Sequence, residues 1–239
     1  MTPARPKAPF RLIYNNDTTN TFGCVTPWHA WGEPFREEHL VASIDETAGR
    51  DVDAHLLCPG SCWVPWWQSE VVPDHIEWWM KRTGLTPEVH HGFERYLLEG
   101  GDMVRVLIDR CRAGGMAPIV SYRINDVHLL EHANETTPAS IRVCRFYAEN
   151  PQWWLDPDHK QRKGYYGLRG MDMAVPEVRQ YKLALIRELC EDYDLAGLEL
   201  DFLRDNRLFR PEQPEESRVE IITDFVRQVR GFLDARQVA

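Results

Sequence analysis

The stretch Gly197–Leu203, with the sequence GLELDFL, decides the fold. It is a short run of apolar and strand-forming residues, which is typical of a strand in a parallel sheet. Glu199 and Asp201 interrupt the run at alternate positions. Because side chains along a strand point to alternate faces, both carboxylates are predicted to share one face, and Leu198 and Leu200 the other.

Three earlier segments have the same character, and each strand is followed by apolar residues at helical spacing. The other predicted strands are Arg11–Tyr14, Ala54–Leu57 and Ala117–Tyr122. The predicted helices are Arg36–Ala48, Asp74–Arg82, Asp102–Arg112, Val175–Tyr193 and Arg218–Phe232. This alternation predicts an α/β protein with buried parallel strands and right-handed crossovers. We expect residues 1–239 to form a single domain with long strand-to-helix loops.

The composition excludes several classes of function. The 239 residues are 43% hydrophobic, which is enough for a substantial core, and the net charge is −9. A nucleic-acid-binding surface is normally basic, so we expect no nucleic-acid partner. No run approaches the roughly 18 apolar residues that span a membrane. Met1–Pro9 lacks the apolar run of a secretory signal, and a cytoplasmic location is expected.

Polar residues follow three of the predicted strands. Asn16 and Asp17 come after the first strand, the segment Arg123–His128 after the third, and Arg204 after the fourth. The carboxyl ends of parallel strands meet at one edge of a sheet, where sites are assembled. The candidate ligand-binding residues in these clusters are Asn16, Asp17, Arg123, Asn125, Asp126, His128 and Arg204. The alternative is that Glu199 and Asp201 only form ion pairs with Arg123 and Arg204.

Tryptophans are concentrated in the loops after the first two strands. They are Trp28, Trp31, Trp63, Trp66 and Trp67. Flat rings at a cleft offer apolar faces to sugar C–H groups. For a single ring, packing of the loop is the better explanation, but the group of five predicts that one or two line a carbohydrate cleft. We take Trp63 and Trp66 as candidates.

The sequence predicts no cofactor and no bound metal. His29, His55, His128 and His132 lie near strand ends or in loops, but no H-E-x-x-H motif marks a zinc site. Cys58 and Cys62 alone are a weak signal, and buried thiols are the simpler explanation. Phosphate-loop, dinucleotide-binding and serine-hydrolase motifs are also absent from the sequence.

The segment Tyr193–Arg204 resembles the strand motif YD-x-D-G-(I/L)-E-L-D-F-x-R of the glycosylhydrolase-like, family-10-like barrel proteins. The segment Ser121–His128 is similar to the third-strand motif of the same group. Ala196 departs from the motif, which commonly has Asp there. The resemblance implies that Asp201 is a catalytic carboxylate and that Asn125, Asp126 and His128 line the substrate site.

The resemblance also implies a (β/α) TIM-barrel-like fold, of which the chain has the first four units, a half barrel. Glycoside hydrolysis normally uses two carboxylates, and the second usually comes from a later strand in such barrels. Asp17 or Asp126 is an alternative source. A second copy or a partner chain completing the barrel is another possibility.

Three functions therefore stay open. The first is a glycoside-hydrolase-like protein that acts on an oligo- or polysaccharide, with Asp201 as nucleophile or acid/base and with Glu199 and Arg204 tuning its charge. The second is a non-catalytic carbohydrate-binding or assembly half barrel. The third is a metal-assisted hydrolase that uses Asp17, Asp126 and His128.

Overall fold

A computed structural model of the chain describes residues 10–22, 25–61, 63–89, 91–127, 141–157 and 169–236. Its main feature is a four-stranded parallel sheet. The strands of this sheet are β1 (Ile13–Asn16), β2 (Ala54–Leu57), β5 (Ala117–Arg123) and β6 (Gly197–Asp201), in the order β1-β2-β5-β6. In the loop after β2, β3 (Gly60–Ser61) and β4 (Val64–Pro65) form a small antiparallel hairpin. The predicted α/β class and parallel sheet are confirmed.

Helices connect the strands, and each predicted helix is present. The helices are α1 (Thr19–Phe22), α2 (Glu37–Asp45), α3 (His75–Thr83), α4 (Phe93–Leu98), α5 (Met103–Ala113), α6 (Arg145–Glu149), α7 (Pro176–Asp192) and α8 (Glu215–Arg236). Helix α5 begins within one residue of its predicted start. The Asp102 carboxylate caps this helix by accepting hydrogen bonds from the backbone N–H groups of Val104 and Arg105. The short helices α1, α4 and α6 were not predicted, because one turn carries too little periodicity to detect.

One face of the sheet carries the main core. Leu57, Val120 and Tyr122 are buried on this face, and Leu198 and Leu200 pack against the same core. The core continues into α5, α7 and α8 through residues such as Leu107, Leu185 and Phe225. The alternation predicted for β6 is therefore observed, because its leucines face the helices.

The opposite face is concave and carries the polar residues. At its base, Ala54, Leu56 and Ile119 form a small second cluster against Phe10. The register aligns Ser121 with Glu199 and Arg123 with Asp201, which places them progressively nearer the carboxyl edge.

The first strand differs from its prediction in position and burial. It runs from Ile13 to Asn16, two residues later than predicted, and Ile13 and Tyr14 are 48% and 37% exposed. The prediction of a buried strand was wrong here because β1 lies at an edge of the sheet and is paired on one side with β2. No helix in the described ranges is long and apolar enough to cross a membrane.

Candidate active site

Glu199 lies on the concave face and is held by two neutral donors. Its Oε2 atom accepts a hydrogen bond from the Ser121 hydroxyl on the neighbouring strand β5. The same oxygen accepts a bond of 3.1 Å from Nδ2 of Asn15, on the far edge strand β1. These bonds orient the carboxylate and compensate its partial removal from water.

Asp201 is the last residue of β6 and lies at the mouth of the concave face. Its Oδ1 atom accepts hydrogen bonds from the backbone N–H groups of Leu203 (2.8 Å) and Arg204 (3.2 Å), which close a turn after the strand. Its Oδ2 atom lies 3.9 Å from Nε of Arg123. The side chain is 24% exposed, so one face of the carboxylate remains accessible from solvent.

Arg123 connects three of the predicted site residues. Besides Asp201, its guanidinium lies 3.0 Å from Oδ2 of Asp126 and 3.7 Å from Oδ2 of Asp17. Burial alone would lower the pKa of this arginine, but nearby negative charge outweighs it, and the pKa is raised. Arg123 therefore stays charged, and the fold brings together Asp17, Arg123, Asp126 and Asp201 as a connected group.

Asp17 and Asp126 have different environments within this group. The Asp126 side chain is fully buried, whereas that of Asp17 is 46% exposed. Both already bind the cationic guanidinium of Arg123, so this pair does not favour the metal-assisted hypothesis. His128, the third residue of that hypothesis, lies outside the described residues.

Two further residues, Cys58 and Arg142, adjoin the group. Cys58 was expected only as a buried thiol, and Arg142 was not recognised in the sequence. Cys58 directly follows β2 and is 3% exposed; burial raises the pKa of its thiol to about 12, so the thiol is unreactive at neutral pH. The Arg142 guanidinium lies 5.6 Å from the centroid of the Trp66 ring, and burial lowers its pKa while Asp126 opposes the change. Arg142 lies between β5 and α6 and belongs to no helix or strand, so no sequence periodicity indicates which way its side chain points.

Asn125 and Asn16 occupy structural positions. The Asn125 amide is 1% exposed: it donates to the backbone carbonyls of Met171 (3.2 Å) and Arg207 (2.6 Å), and it accepts from the N–H of Met171 (3.2 Å). Asn16 points away from the concave face and lies 3.4 Å from the Ser43 hydroxyl of α2. Because strand side chains alternate, Asn15 rather than Asn16 faces the carboxylates. The structure therefore does not favour substrate contacts for Asn125 or Asn16.

The tryptophans chosen from the sequence lie in the core. Trp63 is fully buried with the Lys182 ammonium 3.4 Å from its ring centroid, and Trp66 is 4% exposed. Buried rings cannot stack on a sugar in this arrangement, so their positions do not favour a cleft role. Trp31, in the loop after β1, is 75% exposed. Arg204 is also exposed, next to Asp201.

Comparisons with known proteins show only a distant structural likeness. No family model and no curated protein matches the chain. Among solved structures, the chain is similar to a noncanonic maltogenic alpha-amylase AmyB from Thermotoga neapolitana, with 16% identity and a TM-score of 0.48. The match covers 94% of this chain and 43% of the amylase, so the chain spans less than half the length of that protein. A likeness of this size does not establish a common activity.

Proposed function

We propose that this chain is a glycoside-hydrolase-like half barrel that acts on an oligo- or polysaccharide at its concave face, with Asp201 as the catalytic carboxylate. The observation that carries the proposal is the position of Asp201. It lies at the carboxyl edge of the sheet, is partly exposed, and contacts a buried arginine. Barrel enzymes place their catalytic groups at this edge.

A second carboxylate is needed for hydrolysis, and Asp17 fits that requirement best. Asp17 and Asp201 flank the same guanidinium, at 3.7 and 3.9 Å, and both side chains are accessible to solvent. Two carboxylates on either side of a scissile bond are the usual arrangement in glycoside hydrolases. Asp126 is fully buried and is better suited to hold Arg123 in place.

The remaining residues support this pair. Glu199 lies one step deeper on the same strand face, where its negative charge and hydrogen bonds help to fix the base of the site. The exposed side chain of Arg204 is suited to donate to sugar hydroxyls, and Trp31 has the most exposed ring of the five loop tryptophans for stacking on a sugar. The resemblance of the segment Tyr193–Arg204 to glycosylhydrolase-like barrels agrees with this assignment.

The test is turnover of a panel of oligo- and polysaccharides by the wild type and by Asp201→Asn, Asp17→Asn and Asp109→Asn. Asp109 is an exposed aspartate on α5 and serves as the matched control. We expect Asp201→Asn to reduce turnover by at least about a hundredfold while glycan binding persists, as is typical for loss of a catalytic acid or base. Unchanged turnover in Asp201→Asn would contradict the assignment.

A non-catalytic assembly half barrel is the second candidate, and the exposed apolar side chains at the two edge strands favour it. Leu12, Ile13 and Tyr14 on the β1 side are 50%, 48% and 37% exposed, and Leu203 after β6 is 89% exposed. Open apolar edges are normally covered by another chain or segment. Glycan binding by calorimetry without cleavage, combined with a dimeric mass by light scattering, would favour this candidate. A monomer that cleaves glycans would exclude it.

A further inference from the structure

We propose that His29, Glu33 and His39 form a binding site for a divalent transition metal, with Zn²⁺ as the type case. His29 and Glu33 lie in the connection between β1 and α2, and His39 lies in the first turn of α2. None of the three is assigned to the carboxylate site. One potential ligand atom from each lies within 4.8 Å of the other two. The site thus goes beyond the proposed carbohydrate chemistry and does not depend on it.

Local structure fixes all three ligands. His29 forms an antiparallel backbone bridge with Thr26, with hydrogen bonds of 2.9 and 3.3 Å. Glu33 closes the next turn, where its Oε2 atom accepts from the N–H of Ala30 at 3.0 Å. His39 lies in the first turn of α2 and is 2% exposed. The loop therefore returns His29 and Glu33 to the start of the helix that carries His39.

His29 gives independent evidence for a ligand. Its side chain is 4% exposed and is stacked on His39 with 4.2 Å between the ring centroids. Both of its ring nitrogens are buried, and neither has a hydrogen-bond partner within the described ranges. Burying an imidazole without such a partner is unfavourable, and a bound metal ion would supply the missing partner.

Arg36 shows that this position already attracts a cation. Its guanidinium lies 2.6 Å from Oε1 of Glu33 and 3.0 Å from Nε2 of His39. The Arg36 side chain is 52% exposed, so it can swing into solvent and leave both the Glu33 carboxylate and the His39 ring. A metal ion would then replace one positive charge with two, next to the same carboxylate.

The donor set identifies the class of metal. Two imidazoles and one carboxylate are typical ligands of Zn²⁺ and of other first-row divalent ions, whereas Ca²⁺ and Mg²⁺ prefer oxygen ligands alone. A tetrahedral site with metal–ligand bonds of about 2.0–2.1 Å brings ligand atoms to about 3.3 Å from one another. The ligand atoms lie within 4.8 Å of one another, so binding requires these separations to shorten by up to about 1.5 Å through rotation of the side chains.

The experiment titrates the full chain with Zn²⁺ by calorimetry and with Co²⁺ by visible absorption. The variants are His29→Gln, Glu33→Gln and Arg36→Gln, and the matched control is His91→Gln, an exposed histidine outside the cluster. We expect one bound ion per wild-type chain, a visible Co²⁺ spectrum, and at least about tenfold weaker binding in His29→Gln and Glu33→Gln. Arg36→Gln should bind more tightly, because a competing cation is removed.

Circular dichroism of each variant shows whether weaker metal binding reflects the loss of a ligand or the loss of the fold. If His29→Gln does not fold, Glu33→Gln still tests the proposal. Zn²⁺ should also raise the thermal midpoint of the wild type but not of Glu33→Gln. Failure of the wild type and Arg36→Gln to bind either ion would overturn the proposal. Equal binding by folded His29→Gln, folded Glu33→Gln and wild type would also overturn it.

Discussion

Nδ2 of Asn15 donates a hydrogen bond of 3.1 Å to Oε2 of Glu199, although their strands lie at opposite edges of the sheet. Neighbouring strands are about 4.8 Å apart, so a flat sheet would separate β1 and β6 by about 14 Å. The two side chains meet because the sheet curls towards them. Such curvature is what closes parallel strands into a barrel.

Asn15→Ala should lower the free energy of unfolding by about 1 kcal/mol, because a hydrogen bond to a charged group is lost at a partly solvated position. Urea denaturation measures the change. Asn206→Ala, at an exposed loop asparagine, serves as the control and should stay within about 0.5 kcal/mol of wild type. Equal stability of the two variants would show that the bond across the sheet contributes nothing.

Arg123→Met should lower the free energy of unfolding much more than Asn15→Ala does. The Asp126 side chain is fully buried and lies 3.0 Å from the guanidinium, so removing Arg123 leaves a buried carboxylate without this cation. The expected loss is about 3–5 kcal/mol in urea denaturation. The double variant Arg123→Met/Asp126→Asn should recover part of this loss, because it removes the charge as well. A double variant less stable than Arg123→Met would argue against the ion pair as the cause.

Stability should fall when the pH drops below 6.5. Burial lowers the pKa of His55 and of His75 to about 4, whereas histidines in the unfolded chain titrate near 6.5. Between these values the unfolded chain binds more protons, so acidification favours unfolding. Each histidine should remove about 2 kcal/mol of stability between pH 7.5 and pH 5.

Urea denaturation of His75→Gln at these two pH values checks this origin. The glutamine amide can still donate to the carbonyl of Ile141, which lies 2.7 Å from Nε2 of His75, but it does not titrate. The pH-dependent loss should be smaller in His75→Gln than in wild type. His91→Gln, at an exposed position, should retain the full loss. Identical pH profiles for wild type and His75→Gln would contradict the assignment.

Gly170→Ala should destabilise the protein, whereas Gly231→Ala should stabilise it. A Cβ at residue 170 would lie 2.4 Å from Nδ2 of Asn125, whose amide is fixed by three hydrogen bonds. Relief of this overlap should cost about 1–3 kcal/mol. At Gly231, within α8, nothing lies within 4 Å, so alanine should gain about 0.5–1 kcal/mol. Thermal denaturation compares the stabilities of the two variants. An unchanged stability of Gly170→Ala would show that the Asn125 amide moves aside at little cost.

Much of the architecture follows from local sequence patterns. The predicted strand Ala54–Leu57 agrees with β2 at both ends, and the long helices and the strands β5 and β6 were placed to within a few residues. Apolar residues recur about every 2 residues along a half-buried strand and about every 3.6 residues along a helix, because those residues face the core. The sequence therefore reports where such elements lie. The same alternation predicted that Glu199 and Asp201 share a face.

The grouping of side chains was decided by the tertiary structure. The sequence indicated polar residues at several strand ends, but the candidate chosen after the first strand was Asn16, whereas Asn15 faces the carboxylates. The predicted strand ended at Tyr14, so the alternation of faces was not extended to these two residues. Nor did it show that Trp63 and Trp66 are buried, since loop residues have no periodicity that reports burial.

The run GLELDFL by itself determined a parallel strand with two carboxylates on one face. Only the curled sheet brought Asn15 across to Glu199, and only the packed loops placed Arg123 among three aspartates and His29 beside His39. The physical reason is the distance along the chain over which each kind of interaction acts. Local patterning fixes which way a side chain points along its own element, whereas contacts between distant elements depend on how the whole core packs.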